Sequence, residues 1–236
     1  MSIKKYLRTS RITRGLYQKL YSFKIKLKKR NTSARLKKHG AEVLIKLKQT
    51  LEGIDAQWFL AYGTCLGALR NGDFISHDLD MDFYLLPNES ADLNTAHTAL
   101  AEAGFTHFHD FLAEGVLCES TWGYQGVRFD ITVLEEKDEG FGTYLFNRFA
   151  HEKYADDTDH SVSLSIAPPI SGTSYIELAG VAVPVPSNAI EFMELYYGEN
   201  WIVPNPAYTW QDSKSSRILT DKRGVIRRYK IDQLDF

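Results

Sequence analysis

The sequence predicts an α/β protein: a mixed β-sheet flanked by helices, preceded by a basic helical arm. Three observations carry this. Strand-length apolar or alternating runs at 58–62, 78–85 and 126–134 interleave with segments of helical period at 34–53, 91–103 and 187–197. A 236-residue chain that is 44% hydrophobic and 13% aromatic can bury a sizeable core. Charge is also divided sharply. Residues 1–50 hold 16 of the 28 basic side chains and only one acid, Glu42, whereas the remainder is acidic, for a net charge of −2. The expected organisation is an arm over 1–33 and one domain over 34–236.

Within the arm, Ile12, Leu16, Leu20, Phe23 and Leu27 recur at helical spacing, with Lys and Arg filling most other positions. Such a basic amphipathic helix suits an anionic membrane surface or a polyanionic glycan. It equally suits packing on its own acidic domain or on a second subunit. Nucleic acid fits poorly, because the acidic body would repel it. There is no apolar run of signal-peptide or transmembrane length, and Cys65 and Cys118 form no C-x-x-C. These features predict a reduced, cytoplasmic protein, with the arm as its contact to the inner face of a membrane.

A second helix is predicted over 34–53, with Leu36, Val43, Leu44, Leu47 and Leu51 as its apolar stripe and Gly53 as its stop. Trp58 to Tyr62 reads as the first strand. Gly63-Thr64 then turns the chain into a short helix, Cys65 to Arg70, with Thr64 as expected N-cap and Asn71-Gly72 as stop. That helix start offers free N–H groups and a positive dipole end to an anion such as phosphate.

The next strand is the most informative. In His77-Asp78-Leu79-Asp80-Met81-Asp82-Phe83, alternation places Asp78, Asp80 and Asp82 on one face and Leu79, Met81 and Phe83 on the core side. Three carboxylates in a row repel unless a positive group lies among them. Oxygen ligands at that spacing suit a hard divalent cation, Mg²⁺ or Mn²⁺.

Beyond the turn at Pro87, a helix over 91–103 closes at Gly104, and Phe105 to His109 reads as a half-exposed strand with His107 and His109 on one face. An H-x-H pair suits zinc, but the spacing supplies no further ligand nearby. In Gly126 to Leu134, Val127, Phe129, Ile131 and Val133 face a core, and Arg128, Asp130 and Thr132 oppose them. Asp130 there needs a partner, either Arg128 or a metal shared with Asp80 and Asp82. Residues 138–175 show little pattern and are expected to be a long irregular segment, with Arg148, His151 and His160 as acceptor-binding or proton-accepting candidates. Two short strands follow at 175–178 and 181–186, then a helix capped by Ser187 and stopped by Gly198. Tyr197 and Trp201 close over a base or a sugar, or form a buried cap over the end of the domain. The tail from Lys214 is basic again.

Gly63 to Asp82, G-T-C-L-G-A-L-R-N-G-D-F-I-S-H-D-L-D-M-D, resembles the signature of the LicD and fukutin-related proteins, as does the downstream V-P-V-P then Y-G-E-N-W run. The resemblance implies a nucleotidyltransferase-type fold and transfer of a phosphate-linked group, phosphocholine or an alditol phosphate, from a CDP-activated donor to a hydroxyl of a cell-surface glycan or glycolipid. It implies a Mg²⁺ or Mn²⁺ site at Asp80 and Asp82, with Asp130 as third carboxylate. Gly63, Thr64, Arg70, Asp78, Arg128, Tyr197 and Trp201 would then surround the substrates. Ser76, His77 and Leu79 depart from the usual Pro-Trp-Asp-Asp form, which points to an unusual donor. Two alternatives remain open at this stage: transfer of a nucleoside monophosphate itself, and a catalytically inactive glycan- or lipid-binding member.

Overall fold

A computed structural model of the chain describes residues 11–138, 140–147, 160–209 and 212–230. The candidates Arg148 and His151 and the first ten residues of the arm lie outside that set. Helix α1 (Arg11–Glu52) is one continuous element. The two helices expected at 11–30 and 34–53 are therefore a single rod. No proline or glycine falls between them, and Thr32 satisfies its hydroxyl within the helix by donating to the Lys28 carbonyl at 3.1 Å.

Burial changes along this rod. Leu20, Phe23 and Leu27 are exposed, whereas Leu36, Val43, Leu44, Leu47 and Leu51 are buried, as the stripe predicts. The Gly53 N–H closes the helix on the Gln49 carbonyl. Strand β1 (Gln57–Leu60) then leads into helix α2 (Tyr62–Asn71), which ends at Gly72 in the left-handed region, φ 65°. Asparagine-glycine is the expected stop because glycine adopts that conformation without steric cost.

Strand β2 (Asp80–Leu86), helix α3 (Leu93–Glu102), and strands β3 (Thr106–Ala113), β4 (Val116–Tyr124) and β5 (Val127–Val133) follow. Asp92 caps α3 by accepting from the Thr95 N–H at 2.8 Å. Next come β6 (Glu135–Lys137), β7 (Gly140–Asn147), β8 (His160–Ile166), β9 (Thr173–Leu178), β10 (Val181–Pro186), helix α4 (Ala189–Tyr197) and β11 (Ser216–Arg228). The segment expected to be irregular thus supplies β7, β8 and the start of β9. Asn188, rather than Ser187, precedes α4 as its cap, and the Ser187 hydroxyl pairs with that of Ser174 at 2.9 Å.

Among the described residues nine strands form one sheet in the order β1-β2-β5-β4-β3-β11-β8-β7-β6, and β9-β10 form a separate hairpin. The large sheet is mixed: β2 and β5 are parallel and every other neighbouring pair is antiparallel. It is also curled, since β7 returns to touch β3 and β4. On its back, Met81, Phe83, Phe129, Ile131 and Trp122 join the leucine stripe of α1 and the inner face of α3 in the main core. A second core of Phe111, Tyr144, Val162, Leu164, Leu219 and Ile226 fills the curl. The basic tail is therefore largely a central strand, β11, between β3 and β8. Among the described residues no helix is long and apolar enough to cross a membrane.

Leu44 has no exposed surface and sits at the centre of the α1 stripe. Leu44→Ala is expected to cost about 2–5 kcal/mol, the range for removing a buried leucine side chain, read from urea denaturation followed by far-UV circular dichroism.

Candidate active site

The parallel pairing of β2 with β5 sets Asp82 opposite Asp130 and Asp80 opposite Arg128. Alternation along both strands then turns all four side chains to the front of the sheet. Arg128 Nη2 donates to Asp80 Oδ2 at 2.7 Å and to Asp130 Oδ2 at 2.9 Å, so one guanidinium bridges carboxylates from two strands. Of the two partners that the sequence left open for Asp130, the fold supplies the arginine. Asp130 Oδ1 also accepts from Thr121 Oγ1 on β4 at 2.6 Å. Because that hydroxyl has spent its only proton, the His109 Nε2 lying 2.9 Å from it must be the donor, which fixes the tautomer of His109.

Asp82 is held from the other side. Its backbone N–H donates to Thr64 Oγ1 at 2.9 Å. Thr64 is therefore not the helix cap: α2 begins at Tyr62 after Ala61, and the buried Thr64 hydroxyl ties the first turn of α2 to β2. Burial, then repulsion from Asp80, Asp130 and Asp78, pushes the Asp82 carboxyl well above its usual range, with Arg128 opposing. Several carboxylates against one guanidinium leave a deficit of positive charge, and their all-oxygen donor set fits a hard divalent cation.

Asp78 lies in the loop before β2 rather than in the strand, and Leu79 is only half-buried instead of facing the core. The Asp78 N–H closes a turn on the Ile75 carbonyl at 3.0 Å. Its carboxylate reaches the start of α2, where a Cβ added to Gly63 would come within 3.2 Å of Asp78 Oδ2. Glycine thus leaves room for an acidic group at the positive end of that helix. Burial raises the Asp78 carboxyl to about 6, with His77 lowering it and Asp80 adding to the rise.

Two cavities meet at this front face. One, of about 430 Å³, is lined by Asp82, Glu119, Asp130, Tyr62 and serines of β8 and β11, among them Ser163, Ser165 and Ser216. The other, of about 690 Å³, is lined by Gly63, Arg70, His77, Asp78, Asn200 and Trp201. Tyr197 and Tyr208 border both, with their rings 5.1 Å apart. Arg70 does not project freely: its Nε donates to the Trp201 carbonyl at 2.7 Å and its Nη2 to the same carbonyl. Arg70 thereby holds the loop after α4 over the second cavity, and Trp201 itself is buried.

Glu119 was not singled out by the sequence. It lies on β4 opposite Thr132 and is buried, and burial, together with the charge on Asp130, pushes it up to about 8. Spacing alone does not separate such a glutamate from an exposed one. A shift in strand pairing between His107 and His109 also overturns their expected common face. His109 meets Thr121 on the front, while His107 stacks on Trp122 on the back at 4.1 Å between ring centres. His160, a sequence candidate, is buried at the start of β8 near Phe146.

Comparison with known proteins bears on this geometry. A 179-residue stretch, 75% of the chain, is 25% identical to the ribitol-5-phosphate transferase FKTN of Mus musculus and 24% identical to that of Homo sapiens. The chain spans 36% of the length of these relatives. A solved structure of ANT(2″)-Ia in complex with adenylyl-2″-tobramycin is 13% identical, with a TM-score of 0.40 over 72% of this chain and 81% of the other. The LicD/FKTN/FKRP nucleotidyltransferase-domain family matches residues 55–188, from the turn before β1 to the cap of α4 and including Asp78, Asp80, Asp82, Glu119 and Asp130. With more than half its length matched, the chain belongs to the LicD/FKTN/FKRP family and carries its nucleotidyltransferase-type fold.

Proposed function

We propose that this protein is a metal-dependent phosphotransferase that moves an alditol phosphate or phosphocholine from a CDP-activated donor to a hydroxyl of a cell-surface glycan. The observation that carries the reading is the register that sets Asp82 against Asp130 beside Asp80, next to a helix start that its own N-cap side chain does not fill. The naming of the FKTN relatives as ribitol-5-phosphate transferases favours ribitol phosphate among the candidate groups.

In this reading Asp80, Asp82 and Asp130 hold Mg²⁺ or Mn²⁺. The ion, when bound, offsets the charge of the donor diphosphate and polarises phosphorus. The N–H groups at the start of α2, beside Gly63, bind phosphate oxygens. Arg128 keeps Asp80 and Asp130 in register and remains close enough to balance charge on the transferring group. The larger cavity takes the nucleotide, with Tyr197 and Trp201 as its aromatic walls, and Arg70 fixes the Trp201 loop rather than gripping phosphate. The hydroxyl-rich smaller cavity takes the acceptor, and Glu119 within it accepts the proton of the attacking hydroxyl. We place the arm on an anionic membrane surface, because Leu20, Phe23 and Leu27 are exposed on a helix crowded with lysine.

The direct test is release of nucleoside monophosphate from CDP-ribitol, CDP-glycerol and CDP-choline with Mg²⁺ or Mn²⁺ and a glycan acceptor. Asp82→Asn is expected to lower kcat/KM by about 10²-fold or more, the scale for losing one electrostatic stabiliser of a transition state. Pyrophosphate release from a nucleoside triphosphate, with all three donors left intact, would instead indicate nucleotidyl transfer.

The raised Glu119 has a consequence for stability. A carboxyl with its folded-state value near 8 and an unfolded value near 4.5 binds more proton folded than unfolded. Its contribution to stability therefore declines as pH rises from about 4.5 to 8 and is level above that. In chelator, Glu119→Gln is expected to flatten that decline in thermal scans and raise Tm at pH 8. For the arm, the full chain is expected to float with phosphatidylglycerol vesicles and not with phosphatidylcholine vesicles. Leu20→Glu combined with Phe23→Glu is expected to abolish the flotation, and salt to weaken it.

A further inference from the structure

Behind the sheet, away from the carboxylate face, three donor groups from α3 and β3 converge. Asp110 on β3 is buried, and its Oδ1 is approached by two imidazole nitrogens, His107 Nε2 at 2.7 Å and His97 Nε2 at 3.6 Å. All three atoms lie within 4.8 Å of one another. The other carboxylate oxygen, Oδ2, accepts from Tyr229 Oη at 2.9 Å, which leaves Oδ1 turned toward the histidines. The His107 ring is fixed between Trp122, with centres 4.1 Å apart, and Tyr229, with centres 4.3 Å apart.

A hydrogen-bonded clamp accounts for His107 with Asp110 but not for His97. The Nε2 of His97 is shielded from solvent, has no hydrogen-bond partner among the described residues, and stands too far from Oδ1 to make one. That separation has a different meaning for ligands of one ion. Zinc bonds of about 2.0–2.2 Å in tetrahedral geometry put neighbouring donor atoms roughly 3.4 Å apart. The His97 to Asp110 distance is already close to that, and the His107 to Asp110 contact needs to open by about 0.7 Å on the same geometry.

We propose that His97, His107 and Asp110 form a zinc site that fastens α3 to β3 on the back of the sheet, separate from the carboxylate site on the front. Two imidazole nitrogens and one carboxylate oxygen select a borderline cation such as Zn²⁺ over Mg²⁺. Tyr229 orients the carboxylate, the role that outer hydrogen bonds play at metal centres. The site is structural in effect: Trp122, stacked on His107, neighbours Thr121, which holds Asp130 on the other face.

The test uses the full chain, stripped with chelator, freed of it, and titrated with Zn²⁺ alone and Co²⁺ alone. The expected results are one Zn²⁺ bound per chain, a raised Tm, and tetrahedral ligand-field absorption from bound Co²⁺. His97→Gln, on the outer side of the cluster, is expected to weaken Zn²⁺ binding by at least about tenfold. Asp80→Asn is expected to bind Zn²⁺ as the wild type does, which separates this site from the proposed catalytic metal. The proposal is overturned if the wild type binds no Zn²⁺ in stoichiometric amount, or if His97→Gln binds it unchanged. Activity of the transferase enters none of these readings, so either proposal can fail without the other.

Discussion

The structure depends on one constraint: carboxylates from two parallel strands must be brought side by side without driving the strands apart. The β2 and β5 register places Asp82 against Asp130, and such a pair is tolerated only with positive charge close by. Arg128, one step along β5, bridges Asp130 to Asp80 across the strand pair. The remaining polar groups are arranged to keep that register. Thr121 holds Asp130 from β4, and Thr64 holds the backbone of Asp82 from α2. Slipping β2 by one residue would turn Met81 and Phe83 to the front and both aspartates into the core, so the apolar back face enforces the same alignment.

That back face explains the helices. A sheet whose front is committed to charge gains its burial from behind, and there the leucine stripe of α1 and the inner side of α3 supply it. The front is closed differently. It is walled by the sheet itself, which curls until β7 approaches β3 and β4 and the serines of β8 face Asp82 and Glu119 across a cavity. The curl is completed by β11, which pairs with β3 on one side and β8 on the other, so residues near the end of the chain finish a wall begun near its middle. Closing such long loops carries an entropic cost before the pairing contacts form. The compact phenylalanine, valine and leucine core inside the curl offsets it.

How much of this was legible depends on the range of the interaction. The alternation in β2 and β5, the stripe from Leu36 to Leu51, the Asn71-Gly72 stop and the cap of α3 are local patterns, and the sequence displays them directly. Thr64 was misread as a cap because a threonine just after a turn has two uses. The choice between them was made by the Asp82 N–H, 18 residues away. Arg70 is expected beside the substrates, and what the local pattern does not display is that two carbonyl groups more than a hundred residues downstream engage its side chain. His107 and His109 looked like one face because alternation assumes unbroken pairing, and the shift in register between them is set by the partner strand. Strands β7, β8 and β11 carried little signal, since polar residues of β8 and β11 face a cavity rather than solvent or core and so blur the period of two.

The opposite placement of His107 and His109 has a structural consequence of its own. On β3 and β4, adjacent positions serve opposite sides of one sheet: His109 and Thr121 support Asp130 in front, while His107 and Trp122 join the cluster beneath α3 behind. A sheet interior is close-packed and shifts as a unit, so the position of Trp122 behind and that of Thr121 in front are not independent. Fastening the back therefore restricts the front. The Thr121 to Asp130 bond is short and buried, and its geometry is sensitive to small displacements of β4 relative to β5. The carboxylates that the register brings together are thus held in place from both faces, by Arg128 and Thr64 around them and by the aromatic and imidazole cluster behind them.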